Sequence, residues 1–280
     1  MKVALIQLNS SDNPEENLNR TLGYLAQAVD RGAELLLTPE VTNCVSSSRS
    51  HQLSVLQSES DDITLKAIRT FAAERSVWIL IGSLALKTND SDGRFANRSF
   101  LIGPNGEIAA KYDKIHMFDV QVSADETYRE SAGYRPGSET VIAKTDIAAF
   151  GLSICYDIRF PHLYRGLAHA GAEILTVPAA FSPTTGADHW EPLLRARAIE
   201  NGCYVLAPAQ TGAHSSSRGK GRRTYGHSMV VDPWGAVVLD AGSEPGWYIV
   251  DLDIENVPKA RRRVPSLTHD RDYSGPEGRK

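Results

Sequence analysis

Cysteine is scarce in this chain. Only Cys44, Cys155 and Cys203 are present, odd in number and far apart, which excludes a disulfide framework and any Cys-x-x-Cys metal site. A reducing, cytoplasmic setting is the expectation, with no metal and no other cofactor. Long hydrophobic runs are missing too. No stretch approaches the roughly 20 apolar residues that span a bilayer, and the apolar run in Met1–Asn9 is too short for a secretory signal and lacks a cleavage site. Neither charge sign dominates. A net charge of −4 argues against nucleic acid as the main partner. The densest basic cluster, Arg218–Arg223, lies in a Ser/Gly-rich stretch and reads as a solvated or substrate-facing loop. What the chain does have is apolar content, 41% of 280 residues, enough to bury a large core as one domain or two fused halves.

Strand-like and helix-like segments alternate. Lys2–Leu8 reads as a strand. A helix then begins at Asp12-Asn-Pro-Glu-Glu16, with carboxylates in its first turn, and runs to Arg31, where Gly32 stops it. A strand to Thr38, a long polar loop over Thr42–Asp61 and a helix over Leu65–Arg75 follow. Val77–Leu86 and Arg98–Gly103 read as strands, and Asn105-Gly106 signals a hairpin into Ile108–Lys111. Further on come strands near Val141–Ala143 and Phe150–Ile154, a helix over Pro161–Ala170 and a strand over Ile174–Val177. A helix over Leu193–Asn201 is capped by Gly202, and four short strands follow: Tyr204–Ala209, Tyr225–Val231, Val237–Asp240 and Trp247–Asp251. A faint repeat links Gly32-Ala-Glu-Leu-Leu-Leu-Thr-Pro39 with Gly171-Ala-Glu-Ile-Leu-Thr-Val-Pro178. It suits an α/β layer architecture built from two related halves.

Polar residues stand where several of these runs end. Cys155 closes Phe150-Gly-Leu-Ser-Ile-Cys155, and Pro161 then opens a helix. A strand-turn-helix corner exposes a nucleophile in α/β proteins, and a nearby helix N-terminus favours the thiolate. A free cysteine is equally often a small buried hydrophobe. Glu40 ends Ala33–Glu40, Lys114 ends Ile108–Lys114, and Glu130 sits in a polar loop before Ala132-Gly-Tyr-Arg-Pro-Gly137. Each alone is unremarkable, because charged side chains at strand ends are usually solvated.

As a set, these segments resemble the nitrilase, or carbon–nitrogen hydrolase, superfamily. Thr38-Pro39-Glu40, Tyr112-Asp113-Lys114-Ile115-His116, Glu130-Ser131 before Pro136-Gly137, and Cys155-Tyr-Asp-Ile-Arg-Phe-Pro161 match that family's motifs in order. The resemblance covers Lys2 to about Asp272, so residues 1–272 are expected to be a single carbon–nitrogen hydrolase domain and 273–280 a tail. Its Nit branch, and the deaminated glutathione amidases within it, are most similar through Gly171–Phe181, His189–Glu200, Cys203–Gln210 and Tyr225–Gly235. The resemblance implies a four-layer α-β-β-α sandwich that pairs across an α face into an α-β-β-α-α-β-β-α homodimer or a larger homo-oligomer.

It also implies chemistry. Cys155 would attack a small carboxylated amide, most simply deaminated glutathione, to give a cysteinyl thioester. Glu40 would be the acid–base group and Lys114 the oxyanion stabiliser, helped by the Tyr156 N–H. Glu130 would orient Lys114 or share its acid–base work. Tyr156, Ala180 and Phe181 are candidate substrate-binding residues. Arg159 would bind a substrate carboxylate, or else pair with Asp157 or a neighbouring loop. His116 and His189 read as structural or pocket residues, and Cys44 and Cys203 as bystanders. An ω-amidase of α-ketoglutaramate or another aliphatic amide, a nitrile hydrolase and a catalytically silent scaffold are the competing readings.

Overall fold

The computed structural model describes residues 1–122, 126–219 and 221–275. Lys220 of the basic cluster, residues 123–125 of the loop before Glu130 and residues 276–280 of the tail lie outside the described residues. In chain order the first half contains β1 (Lys2–Gln7), α1 (Pro14–Asp30), β2 (Leu35–Leu37), α2 (Arg49–Val55), α3 (Ile63–Arg75), β3 (Trp78–Leu86), β4 (Ala96–Ile102) and β5 (Ile108–Asp113). A small hairpin, β6 (Asp119–Gln121) and β7 (Thr127–Arg129), follows. The second half contains β8 (Ile142–Lys144), β9 (Ala149–Leu152), α4 (Pro161–His169), β10 (Ile174–Thr176), α5 (Pro183–Asn201) and β11 (Tyr204–Ala207). It ends with β12 (Thr211–Ala213), β13 (Arg223–Tyr225), β14 (Met229–Val231), β15 (Val237–Asp240), β16 (Gly246–Asp251) and α6 (Asn256–Arg263).

Strands that are apolar on both faces need cover on both faces, and the layers supply it. Val3, Leu5, Leu35 and Leu37 pack with Phe150, Leu152 and Ile174 between the two sheets. Their chain neighbours Ala4, Ile6 and Leu36 point the other way, onto Leu25 and Ala28 of α1 and Leu65 and Ile68 of α3. Leu163 and Leu167 of α4 and Trp190 and Leu194 of α5 cover the second sheet. The order is thus helices, sheet, sheet, helices.

The halves share one topology. The sheets run β16-β1-β2-β3-β4-β5 and β8-β9-β10-β11-β14-β15. In both, the first pair is antiparallel, the next two are parallel and the last two are antiparallel. The Gly-Ala-Glu repeat has a physical role in each. Gly32 and Gly171 hold φ at +88° and +101° just past a helix, a region open to glycine. The glutamate that follows accepts the first N–H of the adjacent strand, Glu34 from Lys2 at 2.7 Å and Glu173 from Ala149 at 2.9 Å.

Three sequence expectations are corrected. The Thr42–Asp61 loop contains α2, capped by Ser48, which accepts the His51 N–H at 3.4 Å. Helix α5 starts at Pro183 rather than Leu193; Gly186 and Pro192 read locally as breakers, yet the helix packs a glycine against the Tyr225 ring, where a Cβ would come within 2.4 Å. The Tyr225–Val231 strand is split by Gly226 and His227, both at positive φ, so that β13 pairs with β12 and β14 with β11. As far as Asp270 the C-terminal segment is docked on its own chain, where Arg165 of α4 donates to the Ser266 carbonyl at 2.6 Å and pairs with Asp270.

One glycine lets the two halves approach closely. The β3–β4 register breaks between Ile81 and Leu84. A Cβ on Gly82 would lie 2.0 Å from the Thr38 carbonyl oxygen and 2.5 Å from Pro178 Cβ. The prolines that close the two repeats therefore converge on this residue, beside Glu40. Replacing Gly82 with Ala is expected to cost at least about 1–3 kcal/mol through overpacking and to reduce activity with it. Thermal melts and kcat on the same preparation check this; wild-type values for both would mean that the strand ends part without penalty.

Candidate active site

The key side chains leave the sheets at strand ends. Glu40 follows β2 across Thr38-Pro39, and Val41, at φ +48°, turns the chain away. Lys114 directly follows β5 and Glu130 directly follows β7. Cys155 stands three residues past β9, at the start of a 3-10 turn that leads into α4. Its φ is +48°, uncommon for a non-glycine residue and typical of functional corners. Its N–H donates to the Pro178 carbonyl at 2.9 Å, which pins the corner to the end of β10.

Asp157 secures the same corner. Its carboxylate is fully buried and accepts from the Ile154 N–H at 2.9 Å, the Tyr112 hydroxyl at 2.7 Å and the His116 N–H at 3.0 Å, with His116 Nδ1 at 2.7 Å. The cysteine turn is thereby tied to the segment that carries Lys114. His116, stacked on Phe160 with ring centroids 3.5 Å apart, is structural.

The structure brings Glu40, Lys114, Glu130 and Cys155 together on one wall of a cavity of about 1020 Å³. Lys114 Nζ donates to Glu40 Oε1 at 2.8 Å and to both Glu130 oxygens at 2.9 and 2.8 Å. Asn97 Nδ2 adds a bond to Glu40 Oε1 at 2.9 Å, and the Ala180 N–H donates to Glu40 Oε2 at 2.8 Å. Glu130 Oε2 also accepts the Phe118 N–H at 2.7 Å. The Cys155 thiol lies beside Glu40, whose charge acts on it directly.

Electrostatics assign the protons. Burial works to raise the Glu40 carboxyl, but the Lys114 ammonium and the Arg222 guanidinium outweigh it and hold Glu40 below its ordinary value. Burial works to lower Lys114, yet Glu130 and Glu40 hold it well above the usual lysine range. Burial, reinforced by the Glu40 charge, pushes the Cys155 thiol up despite Lys114. The resting set is a neutral thiol, a carboxylate and an ammonium. Helix α4 begins only at Pro161, after the 3-10 turn, so its N-terminus stands off from Cys155, on which burial and the neighbouring carboxylate act.

Tyr156, Ala180 and Phe181 line the cavity, as does Cys44, which is therefore no bystander in position. Burial and Asp12 push the Cys44 thiol up to about 12. Arg159 does not line the cavity and does not pair with Asp157, whose oxygens are already taken. It faces His189 Nδ1 at 3.3 Å and lies over the Tyr156 and Phe181 rings, 5.9 and 5.5 Å from their centroids. Asn97 and Arg222 were not singled out by the sequence reading. Asn97 left one faint signal, an amide inside an otherwise apolar strand, whereas Arg222 was one cation among several in a basic loop.

A family model described as carbon-nitrogen hydrolase matches residues 2–262. A deaminated glutathione amidase of Synechocystis sp. is 41% identical over 277 residues, covering 95% of this chain and 96% of that protein. The crystal structure of the Caenorhabditis elegans NitFhit protein superposes with a TM-score of 0.88 at 34% identity, over 96% of this chain and 65% of that longer one. An amidase from Nesterenkonia sp. AN1, a glutamate-to-glutamine mutant with acrylamide added at its active site cysteine, superposes with a TM-score of 0.76 at 26% identity, over 95% and 98% of the two chains. Among the described residues, no helix is long and apolar enough to cross a membrane.

Proposed function

The chain belongs to the carbon–nitrogen hydrolase family, as an amidase, and from that premise we propose that it hydrolyses deaminated glutathione through a cysteinyl thioester on Cys155. The observation that carries this reading is the Lys114 ammonium shared between Glu40 and Glu130, with the Cys155 thiol against Glu40, on the wall of a cavity large enough for a peptide-sized amide. The resemblance of nearly the whole chain to a deaminated glutathione amidase supports the substrate.

The chemistry follows from the resting protonation. Glu40 takes the Cys155 proton as sulfur attacks the amide carbonyl carbon, so no standing thiolate is needed. The developing oxyanion is stabilised by Lys114 and the Tyr156 N–H; one preorganised donor of this kind is worth roughly 10²–10³ in turnover. The C–N bond then breaks, and Glu40 passes its proton to the leaving amine. Water enters, Glu40 accepts its proton, and attack on the thioester frees the keto acid and restores the thiol. Glu130 holds Lys114 in place through both oxygens. A homodimer formed across the α4–α5 face, working in the cytoplasm, completes the proposal.

The test is kcat/KM for deaminated glutathione against α-ketoglutaramate. A ratio of ten or more in favour of deaminated glutathione is the expected result, given that a few well-placed contacts discriminate by that much. A ratio near one, or reversed, would make this an ω-amidase. No turnover of either substrate would sink the assignment.

A further inference from the structure

Arg222 belongs to the loop between β12 and β13, and its guanidinium lines the same cavity as Cys155 and Glu40. It sits on a stiff base. The Arg222 carbonyl accepts the His214 N–H at 2.9 Å. The buried His214 ring is held in turn by the Ser10 carbonyl and the Thr224 hydroxyl, both at 2.7 Å. Arg222 Nη2 donates to the Ala180 carbonyl at 2.6 Å, and the N–H of that same Ala180 goes to Glu40. One residue therefore fixes the guanidinium relative to the reacting carboxylate.

The guanidinium is left incompletely satisfied. Its Nε is buried and has no hydrogen-bond partner among the described residues. Arginine presents its donors as a planar fork that matches a carboxylate, and a buried N–H without an acceptor is costly. The other cations of the cavity are engaged or peripheral. Lys114 is held by two carboxylates. Arg49 donates to the carbonyls of Gly133 and Gly93 and lies over the Phe95 ring. Arg129 and Arg223 are exposed, and Arg129 donates to the Tyr128 carbonyl at 3.0 Å.

We propose that Arg222 recognises a carboxylate on the substrate and thereby sets a preference for acidic over neutral amides. The ligand class is a short amide with a carboxylate at the far end from the scissile bond, an α-keto acid among them. The substrate carboxylate would pair with the part of the guanidinium that faces the cavity, in an ion pair whose planar geometry lysine cannot reproduce. The inference rests on the amidase reading for its kinetic arm only.

The experiment compares wild type with R222Q and R222K. With α-ketoglutaramate and butanamide as probes, R222Q is expected to lose about 30–5000-fold in kcat/KM on the acid, the range for truncating one partner of a buried charge pair. R222Q also weakens the support of Glu40 and so slows both amides, but the loss on the acid should exceed the loss on the neutral amide at least about 30-fold, fall mainly on KM and recover in part in R222K. Equal losses on both amides would overturn the proposal and leave Arg222 as electrostatic support for Glu40. A second arm needs no turnover. Iodoacetamide alkylation of Cys155 is followed by mass spectrometry with increasing 2-oxoglutarate, each variant normalised to its own unprotected rate. The half-protecting concentration should rise at least about 30-fold in R222Q; undiminished protection would overturn the proposal even if wild type cleaved neither amide.

Discussion

Cys155→Ala is expected to abolish amide hydrolysis, lowering kcat by about 10⁴–10⁶, the scale seen when a nucleophile is removed from an otherwise intact site. Its fold should persist. The residue is 7% exposed at a cavity wall, so the lost sulfur leaves no sealed void, and alanine meets the same φ of +48° with no added strain. What remains, Lys114 and Glu40, can polarise a carbonyl and position water, which supports only residual catalysis. Serine should not rescue the site, because a carboxylate held below its ordinary value is a poor base for an alcohol. The paired measurements are ammonia or amine release and alkylation by iodoacetamide, read by intact mass. Of the three thiols only Cys155 has Glu40 beside it as a base, so the adduct that peptide mapping places on Cys155 should vanish. An alanine variant retaining more than about 1% of the rate would remove Cys155 from the chemistry.

Lys114→Met should be nearly as damaging, and in two ways at once. The ammonium is a buried charge between two carboxylates, and deleting one partner of such a cluster typically costs about 3–5 kcal/mol. Catalysis loses its fixed oxyanion donor, a further 10²–10³ or so in kcat. The pH dependence separates this from simple misfolding. In the wild type the Glu40 carboxyl lies below its unfolded value of 4.5. It therefore contributes stability above pH 4.5 that is lost as pH falls through the folded value. Without Lys114 the burial that raises this carboxyl loses its strongest opponent, and the folded value should move above 4.5. The folded variant then binds the extra proton, and its stability falls as pH rises through that value. Urea midpoints between pH 4 and 7 should thus trend downward with pH in the variant relative to wild type. Parallel pH curves would show that Lys114 does not hold Glu40 ionised.

Both expectations draw on residues that the sequence already set apart, and the reason is local. An apolar run of four to six residues that ends in Glu, Lys or Cys announces a strand and a polar group at its end, whatever the rest of the chain does. Hence Glu40, Lys114 and Cys155 were legible, and the Gly-Ala-Glu repeat foretold two halves whose sheets share one order of parallel and antiparallel pairs. Helix α2 and the first turns of α5 were not legible. Their stability comes from Ser48 at a cap and from Gly186 against the Tyr225 ring, contacts that propensity does not encode. The β6–β7 hairpin was missed because its strands are three residues each, too short for a period to show.

What the sequence by itself determined is therefore the α/β layering, the family and the identity of the polar residues at the strand ends. Each is written in short-range patterning. Only the tertiary structure decided the protonation of those residues and the company they keep. Lys114 bridges Glu40 and Glu130 across 74 and 16 positions of the chain, and burial together with the Glu40 charge makes Cys155 a thiol rather than a thiolate. Arg159, beside the cysteine in sequence, turns to His189 and two aromatic rings, while Arg222, from a distant loop, enters the cavity. Charge interactions depend on distance through space and on exclusion of water, and neither is a property of neighbours along the chain.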